Sequence, residues 1–522
     1  MSITRRSFLA SASAATLVSP WAGGISRAET PLLTVASRTL DVKGKAATVF
    51  GLAGANGRQG ILATEGDRFA GAVRNATADP LIMHWHGQVH AAYDQDRARP
   101  DGGSLAVGAE DRHDFLLTPG THWMHSHQLT EQQLLAAPMI ARERNAGDVQ
   151  DVVLMLHDFA FRPPAEILAS LGGANGHGGH GGHGSMPASP PPSTPRGQAG
   201  MNHGNMNHGG MNHGSMPMGG MNHGNMSGGG MGRGAGSSGM MPGMGNMPGM
   251  GGGMRVHAND VAYDAYLAND RTLDDPEVVR VEKGGRVRLR VINGATATSF
   301  FLDTGAVDAS CIAVDGSPCQ PLQGRRFPLA QGQRIDLLIT LPQEGGAFPI
   351  FAQVEADRRR TGIVLASAGA AITKIGDQAS EAAPDATLAL DERLRALTPL
   401  PERKPDRTFH LMLGEEAGYR WTINGRIHGE HQPLEAKRGE RIAIMFMNPT
   451  TMMHPMHLHG HHFQVVGSRA GRFSGPVRDT VIVPPHSPVT VVFDTDKPGR
   501  WFLHCHHLYH MATGMMTELS VV

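Results

Sequence analysis

One ten-residue pattern occurs three times in this chain: GDRFAGAVRN from Gly66, GGRVRLRVIN from Gly284 and GERIAIMFMN from Gly439. Each has Arg two positions after the Gly and closes on Asn nine positions after it. Val287, Leu289 and Val291 alternate with other residues, as do Ile442, Ile444 and Phe446. Alternation at period two makes a half-buried strand, with one face inward and one outward. One strand repeated at such long spacing implies repeated whole domains. Asn75, Asn293 and Asn448 read as strand-end turn residues and not as catalytic ones. Turn signals and short alternating strands fill the rest, and no long amphipathic helix stands out. The fold class expected is all-β, with three antiparallel β-sandwiches.

The repeat also locates the chemistry. His84 and His86 lie eighteen and twenty after Gly66, and His457 and His459 lie eighteen and twenty after Gly439. A second register runs from a later Gly. His125 and His127 lie five and seven after Gly120, and His504 and His506 lie five and seven after Gly499. In the middle repeat the same offsets give Leu302 and Thr304, then Phe351 and Gln353 from Gly346. Each His-x-His puts two imidazoles on one sheet face. Four such pairs on two homologous domains predict eight His around a cluster of ions, with nothing comparable in domain two.

The last His pair is part of HCHHLYHMATGM, which begins at His504. Cys505, His510 and Met515 supply three of the ligands of a blue copper centre, which uses two His, one Cys and a weak axial Met. In a strand, Cys505 faces away from His504 and His506, so one strand touches two sites. His454, in HPMHLHG, supplies the second imidazole, and Pro455 is expected to let it leave the strand's alternation.

These motifs resemble the multicopper oxidases over nearly all of the chain after its N-terminal segment. The resemblance implies three cupredoxin-like Greek-key domains and four Cu ions. Carried over by position, His454, Cys505 and His510 would bind type 1 copper, with Met515 axial. His84 and His457 would bind type 2 copper. One type 3 copper would take His86, His125 and His506, and the other His127, His459 and His504. Asp101, in DGG after HWHG, matches the family's acid that supports a His or a type 2 water and helps deliver protons. Cys505 with its neighbours His504 and His506 would form the electron path. Four one-electron oxidations would then be coupled to reduction of O2 to two waters. Within the family, HCHHLYHMATGM looks most like the periplasmic copper-resistance oxidases. Met511 departs from cuprous oxidases that carry a carboxylate there.

The N-terminus, TRRSFLASASAATLVSPWAGGISRA, reads as a secretory signal of residues 1–28. Arg5-Arg6 gives it a twin-arginine character, so export to the periplasm is expected. No other segment is long and apolar enough to span a bilayer. The formal net charge of -1 suggests no polyanion partner, so no nucleic acid is expected. The partners expected are O2 and a small reductant, acting on a monomer. Cys311 and Cys319 flank a turn and can form a local disulfide or stand as two inert thiols.

Domain one is expected at 29–165, domain two at 255–380 and domain three at 400–522. Residues 171–254 are low complexity, with MNHG at Met201, Met206, Met211 and Met221, and hold fifteen of the 29 Met. Such a segment cannot bury a core and is expected to be disordered. A plain linker needs no Met, whereas thioethers select Cu(I). Recruitment of a substrate copper is therefore expected, with Met452, Met453 and Met511 as stepping points. Other His, including His90, His113, His122, His157, His410, His462 and His507, read as scattered surface or packing residues. The leading function is Cu(I) oxidation for copper tolerance. The alternatives are laccase-like oxidation of phenols or aromatic amines and, without catalysis, copper sequestration.

Overall fold

The computed structural model describes residues 31–174 and 258–522. The leader and most of the Met-rich segment, including Met201, Met206, Met211 and Met221, lie outside these residues. Six sheets pair into three sandwiches. The three repeats form strands with matching bounds, Arg68–Asn75, Arg286–Asn293 and Arg441–Asn448. The closing Asn does the same work each time. Asn75 Nδ2 donates to Leu105 O, Asn293 Nδ2 to Leu329 O and Asn448 Nδ2 to Val483 O. Each Oδ1 accepts from the backbone two residues on, at Thr77, Ala295 or Thr450. All three are buried, so they pin the exit of each repeat strand to the opposing part of its own sandwich.

The antiparallel expectation needs correction. Each of the six sheets contains one parallel pairing, as between Leu32–Val42 and Arg68–Asn75. Parallel neighbours need a long crossover, which the alternation of single strands cannot reveal.

The same topology moves a domain boundary. Strand Gln150–Phe159, expected in domain one, pairs in parallel with Arg286–Asn293 and so opens the second sandwich. Its antiparallel neighbour is Ala265–Ala268. The Met-rich segment therefore lies between two adjacent strands of sandwich two, and not between domains. In sandwich one the same connection is the turn Lys43–Gly44. Helix Pro164–Ala174 follows the Gln150–Phe159 strand, with Ile167 and Leu171 buried in an apolar cluster that runs through sandwiches two and three. Pro163-Pro164 is its sequence signal, since Pro suits a first helical turn. Among the described residues no helix is long and apolar enough to cross a membrane.

Cys311 and Cys319 are both free thiols, buried with their sulfurs 3.9 Å apart. In the middle sandwich Leu302 lies opposite Ala352, one residue off the Phe351 expected from Gly346. Both Leu302 and Ala352 are buried in the apolar core.

Sandwiches one and two are joined through Arg290, whose side chain is fully buried. Its Nε donates to Asp151 at 2.8 Å, and its terminal nitrogens donate to Glu143 at 2.9 Å and Asp336 at 3.2 Å. Removing one partner of such a cluster leaves buried charge uncompensated, at a cost of ~3–5 kcal/mol. Arg290→Leu should therefore lower the thermal unfolding midpoint, followed by circular dichroism. An unchanged midpoint would contradict this account of the joint.

Candidate metal centres

Strand His454–Leu458 lies between Thr480–Val483 and Gly499–Cys505. Met456 faces Cys505 across the pair, and His457 faces His504. His454 is two residues from Met456, so plain alternation already puts it on the Cys505 side. Pro455 is an ordinary member of the strand, and the expected break there is not needed. The odd offset of three between His454 and His457 sends the two imidazoles to opposite faces.

On the Cys505 side, His454 Nδ1 and His510 Nδ1 are each 3.7 Å from Cys505 Sγ and 3.3 Å from each other. Short helix Leu508–Ala512 delivers His510. Met515 is fully buried, with its N–H donating to His510 O and its carbonyl accepting from Cys505 N–H. Trp421 stacks on His510 at 3.9 Å between ring centroids. Burial pushes the Cys505 thiol far above its usual range, so its thiolate needs a cation beside it. Burial, then the neighbouring His507, holds His510 down at about 3, so the ring is neutral and able to bind metal.

On the other side, all eight His of the four pairs are buried. His84 lies opposite His125 in domain one as His457 lies opposite His504 in domain three. Strand Gly499–Cys505 ends one residue short of His506, which is held by its N–H donating to Pro455 O at 2.6 Å. Three groupings emerge. His84 Nε2 is 3.2 Å from His457 Nε2. His504 Nε2 is 3.2 Å from His127 Nε2 and 3.0 Å from His459 Nε2. His86, His125 and His506 have ring centroids 5.1 to 5.6 Å apart.

The backs of these rings are fixed by groups that the motifs did not name. Asp96 Oδ2 is 2.6 Å from His84 Nδ1. Glu131 Oε2 is 3.1 Å from His125 Nδ1. Carbonyls of Ala98, Cys505 and Asp479 sit 2.9 to 3.0 Å from Nδ1 of His459, His504 and His457. Asp479 Oδ1 is 3.0 Å from His86 Nε2, and Arg334 donates two bonds to this carboxylate at 2.5 and 2.7 Å. Burial works to raise the Asp479 acid, but the Arg334 guanidinium outweighs it and holds the carboxyl far below its usual range.

Asp101 is not among these groups. Its side chain is 59% exposed and bonds Tyr93 and Arg99. The acid beside His84 is Asp96, which burial pushes up to about 8. The signal that was available is the shorter spacing of Asp96 from HWHG. Asp260 was also missed. Its Oδ2 is 3.5 Å from His510 Nε2, its Oδ1 is 3.2 Å from His507 Nε2, and it accepts a bond from Tyr419 OH.

The donors fit copper. His86 Nδ1, His125 Nε2 and His506 Nε2 are buried without a hydrogen-bond partner among the described residues, one nitrogen on each ring. A buried unpaired polar atom costs ~1–3 kcal/mol, and three on converging rings form a ligand set for a Lewis acid. The thiolate site, with two His, one Cys and one Met, matches the preference of blue copper. One thiolate centre and one imidazole cluster, joined by adjacent residues of a single strand, define a copper oxidase.

The family description "Multicopper oxidase" matches residues 238–372 and again 401–522. The multicopper oxidase MmcO of Mycobacterium tuberculosis is 28% identical over 481 residues, covering 88% of this chain and 81% of its own. Copper resistance protein A of Pseudomonas syringae pv. tomato is 39% identical over 120 residues, which are 23% of this chain and 19% of that protein. Fet3p, a multicopper oxidase that functions in iron import, superposes with a TM-score of 0.68 at 15% identity, covering 94% of this chain and 90% of its own. This chain belongs to the multicopper oxidases: it is an oxidoreductase that binds one type 1, one type 2 and two type 3 copper ions.

Arg334 belongs to the sandwich without His pairs, yet it holds Asp479 against two of the rings. Arg334→Met should lower copper below four per chain and weaken the type 2 electron paramagnetic resonance signal. The blue band should remain, because the Asp479 carboxylate bonds His86, Arg334 and Thr480 and no ligand of the thiolate site. Arg334→Lys, which keeps the charge but not the paired donors, should retain more copper than Arg334→Met. Full copper loading in Arg334→Met would contradict the role given to Asp479.

Proposed function

We propose that this enzyme oxidises Cu(I) to Cu(II), in copper tolerance, at the expense of O2. His454, Cys505 and His510, with Met515 beside them, would hold type 1 copper. His84 and His457 would hold type 2. His86, His125 and His506 would hold one type 3 ion, and His127, His459 and His504 the other. Bound copper supplies one-electron redox chemistry and the reduction of O2 to water.

The chain's own residues do the rest. Cys505 is bonded directly to His504 and His506, so the thiolate site and the imidazole cluster are one residue apart along the backbone. No diffusing carrier is needed between them. The eight cluster His are at most 9% exposed, which keeps bulk water and partly reduced oxygen apart. Asp96 and Glu131, each against one ring, orient His84 and His125 as carboxylates do for ligating His.

One observation carries the Cu(I) reading. Asp260 follows Met254, the last Met of the Met-rich segment, by six residues in sequence, and its Oδ2 is 3.5 Å from His510 Nε2. Met452, Met453 and Met511 are buried next to His454 and His510 in sequence. Thioethers hold Cu(I) without deprotonation, and a tether raises local concentration without new contacts. The twin-arginine leader, Arg5-Arg6, supports export to the periplasm.

Replacing residues 175–253 by a short Gly-Ser bridge should raise the apparent KM for Cu(I) severalfold, with phenol oxidation unchanged or faster. Steady-state assays with both donors check this. An unchanged KM for Cu(I) with slower phenol oxidation would favour the laccase-like reading instead.

A further inference from the structure

The outer face of sandwich three carries four metal-binding side chains in one block. Strands Arg407–Glu416 and Arg441–Asn448 run parallel, with His410 opposite Met445 and Met412 opposite Met447. Phe409, Leu411, Ile444 and Phe446 pack into the core. Alternation therefore puts His410, Met412, Met445 and Met447 together on the outer face. His410 is exposed and Met445 half-buried. Met412 is 48% exposed and Met447 39%.

Two neighbouring exposed Met gain little from burial, so packing does not explain them. The next strand presents Thr490 opposite Met445 and Pro488 opposite Met447, and neither competes as a charged ligand. Paired strands stand ~4.8 Å apart, and alternate residues on one strand ~6.7 Å apart. Met side chains have three rotatable bonds, so tips at the corners of such a block can meet above its centre. Three thioethers and one imidazole carry no ionised ligand. That set selects a soft monovalent cation over hard divalent ones.

We propose that His410, Met412, Met445 and Met447 form a surface site for one Cu(I) ion, for which Ag(I) is a redox-inert substitute. The site goes beyond the oxidase reading and stands whether the electron donor is Cu(I) or a phenol, because binding needs no electron transfer. His410, scattered in the sequence reading, is drawn into the block only by the parallel register.

The test uses the full chain, loaded with its four coppers and kept under mild peroxide with and without Ag(I). Methionine sulfoxide is then located by tandem mass spectrometry of tryptic peptides. A thioether bound to silver resists oxidation. Oxidation of Met412, Met445 and Met447 should fall severalfold with Ag(I). In His410→Ala/Met412→Leu, with unchanged blue band and circular dichroism, Met445 and Met447 should lose that protection. The proposal is overturned if the three Met oxidise equally with and without Ag(I) while Met in residues 175–257 are protected. It is also overturned if Met445 and Met447 stay protected in the double variant, since they would then be shielded without sharing a ligand set.

Discussion

Asp479 sits where the three sandwiches meet, and its side chain is 1% exposed. A carboxylate there is costly unless paired and fully bonded. Arg334 of sandwich two pairs with it through both terminal nitrogens. The arrangement continues inward, because Arg334 N–H donates to Asp315, and Asp315 accepts from Arg478, which also donates to Asp391. Asp479 in turn fixes His86 from domain one, and its carbonyl fixes His457 from domain three. The sandwich without metal ligands therefore sets the geometry of rings that belong to the other two. That gives a physical reason for keeping a third domain in an oxidase whose ligands come from the first and last.

Parity does the rest of the sorting. Ligands at odd spacing on one strand go to opposite sheet faces, and ligands at even spacing stay together. His454 and His457 separate by this rule, as Cys505 and His504 do. Two kinds of copper centre can thus be served by the same pair of hydrogen-bonded strands, from the adjacent residues His504 and Cys505. Precision then comes from the backs of the rings. Most Nδ1 atoms bond a carbonyl or carboxylate, which leaves one nitrogen of each ring to point inward.

Much of this was legible in the sequence because it is periodic. The repeat gave the three strands ending at Asn75, Asn293 and Asn448, and its offsets gave all eight paired His. The unreadable parts depend on pairing between distant segments. Strand Gln150–Phe159 belongs to sandwich two because of its parallel neighbour, which no local pattern encodes. The one-residue slip to Ala352 comes from counting from a Gly in a turn whose length differs between domains. The match at Asp101 carries no information about burial, and burial is what sets Asp96 beside His84. Arg334, Glu131 and Asp260 carry no motif at all. Their roles exist only through distances to rings that lie far away along the chain.

Four copper ions belong at two centres built by domains one and three, with domain two acting through Arg334. Anomalous X-ray scattering at the copper edge, on crystals of the loaded enzyme, tests it most directly. Four strong peaks are expected: one among His454, Cys505 and His510, and three among the eight paired His. A strong peak beside Leu302 and Ala352, or fewer than three peaks among the eight His in fully loaded enzyme, would contradict it.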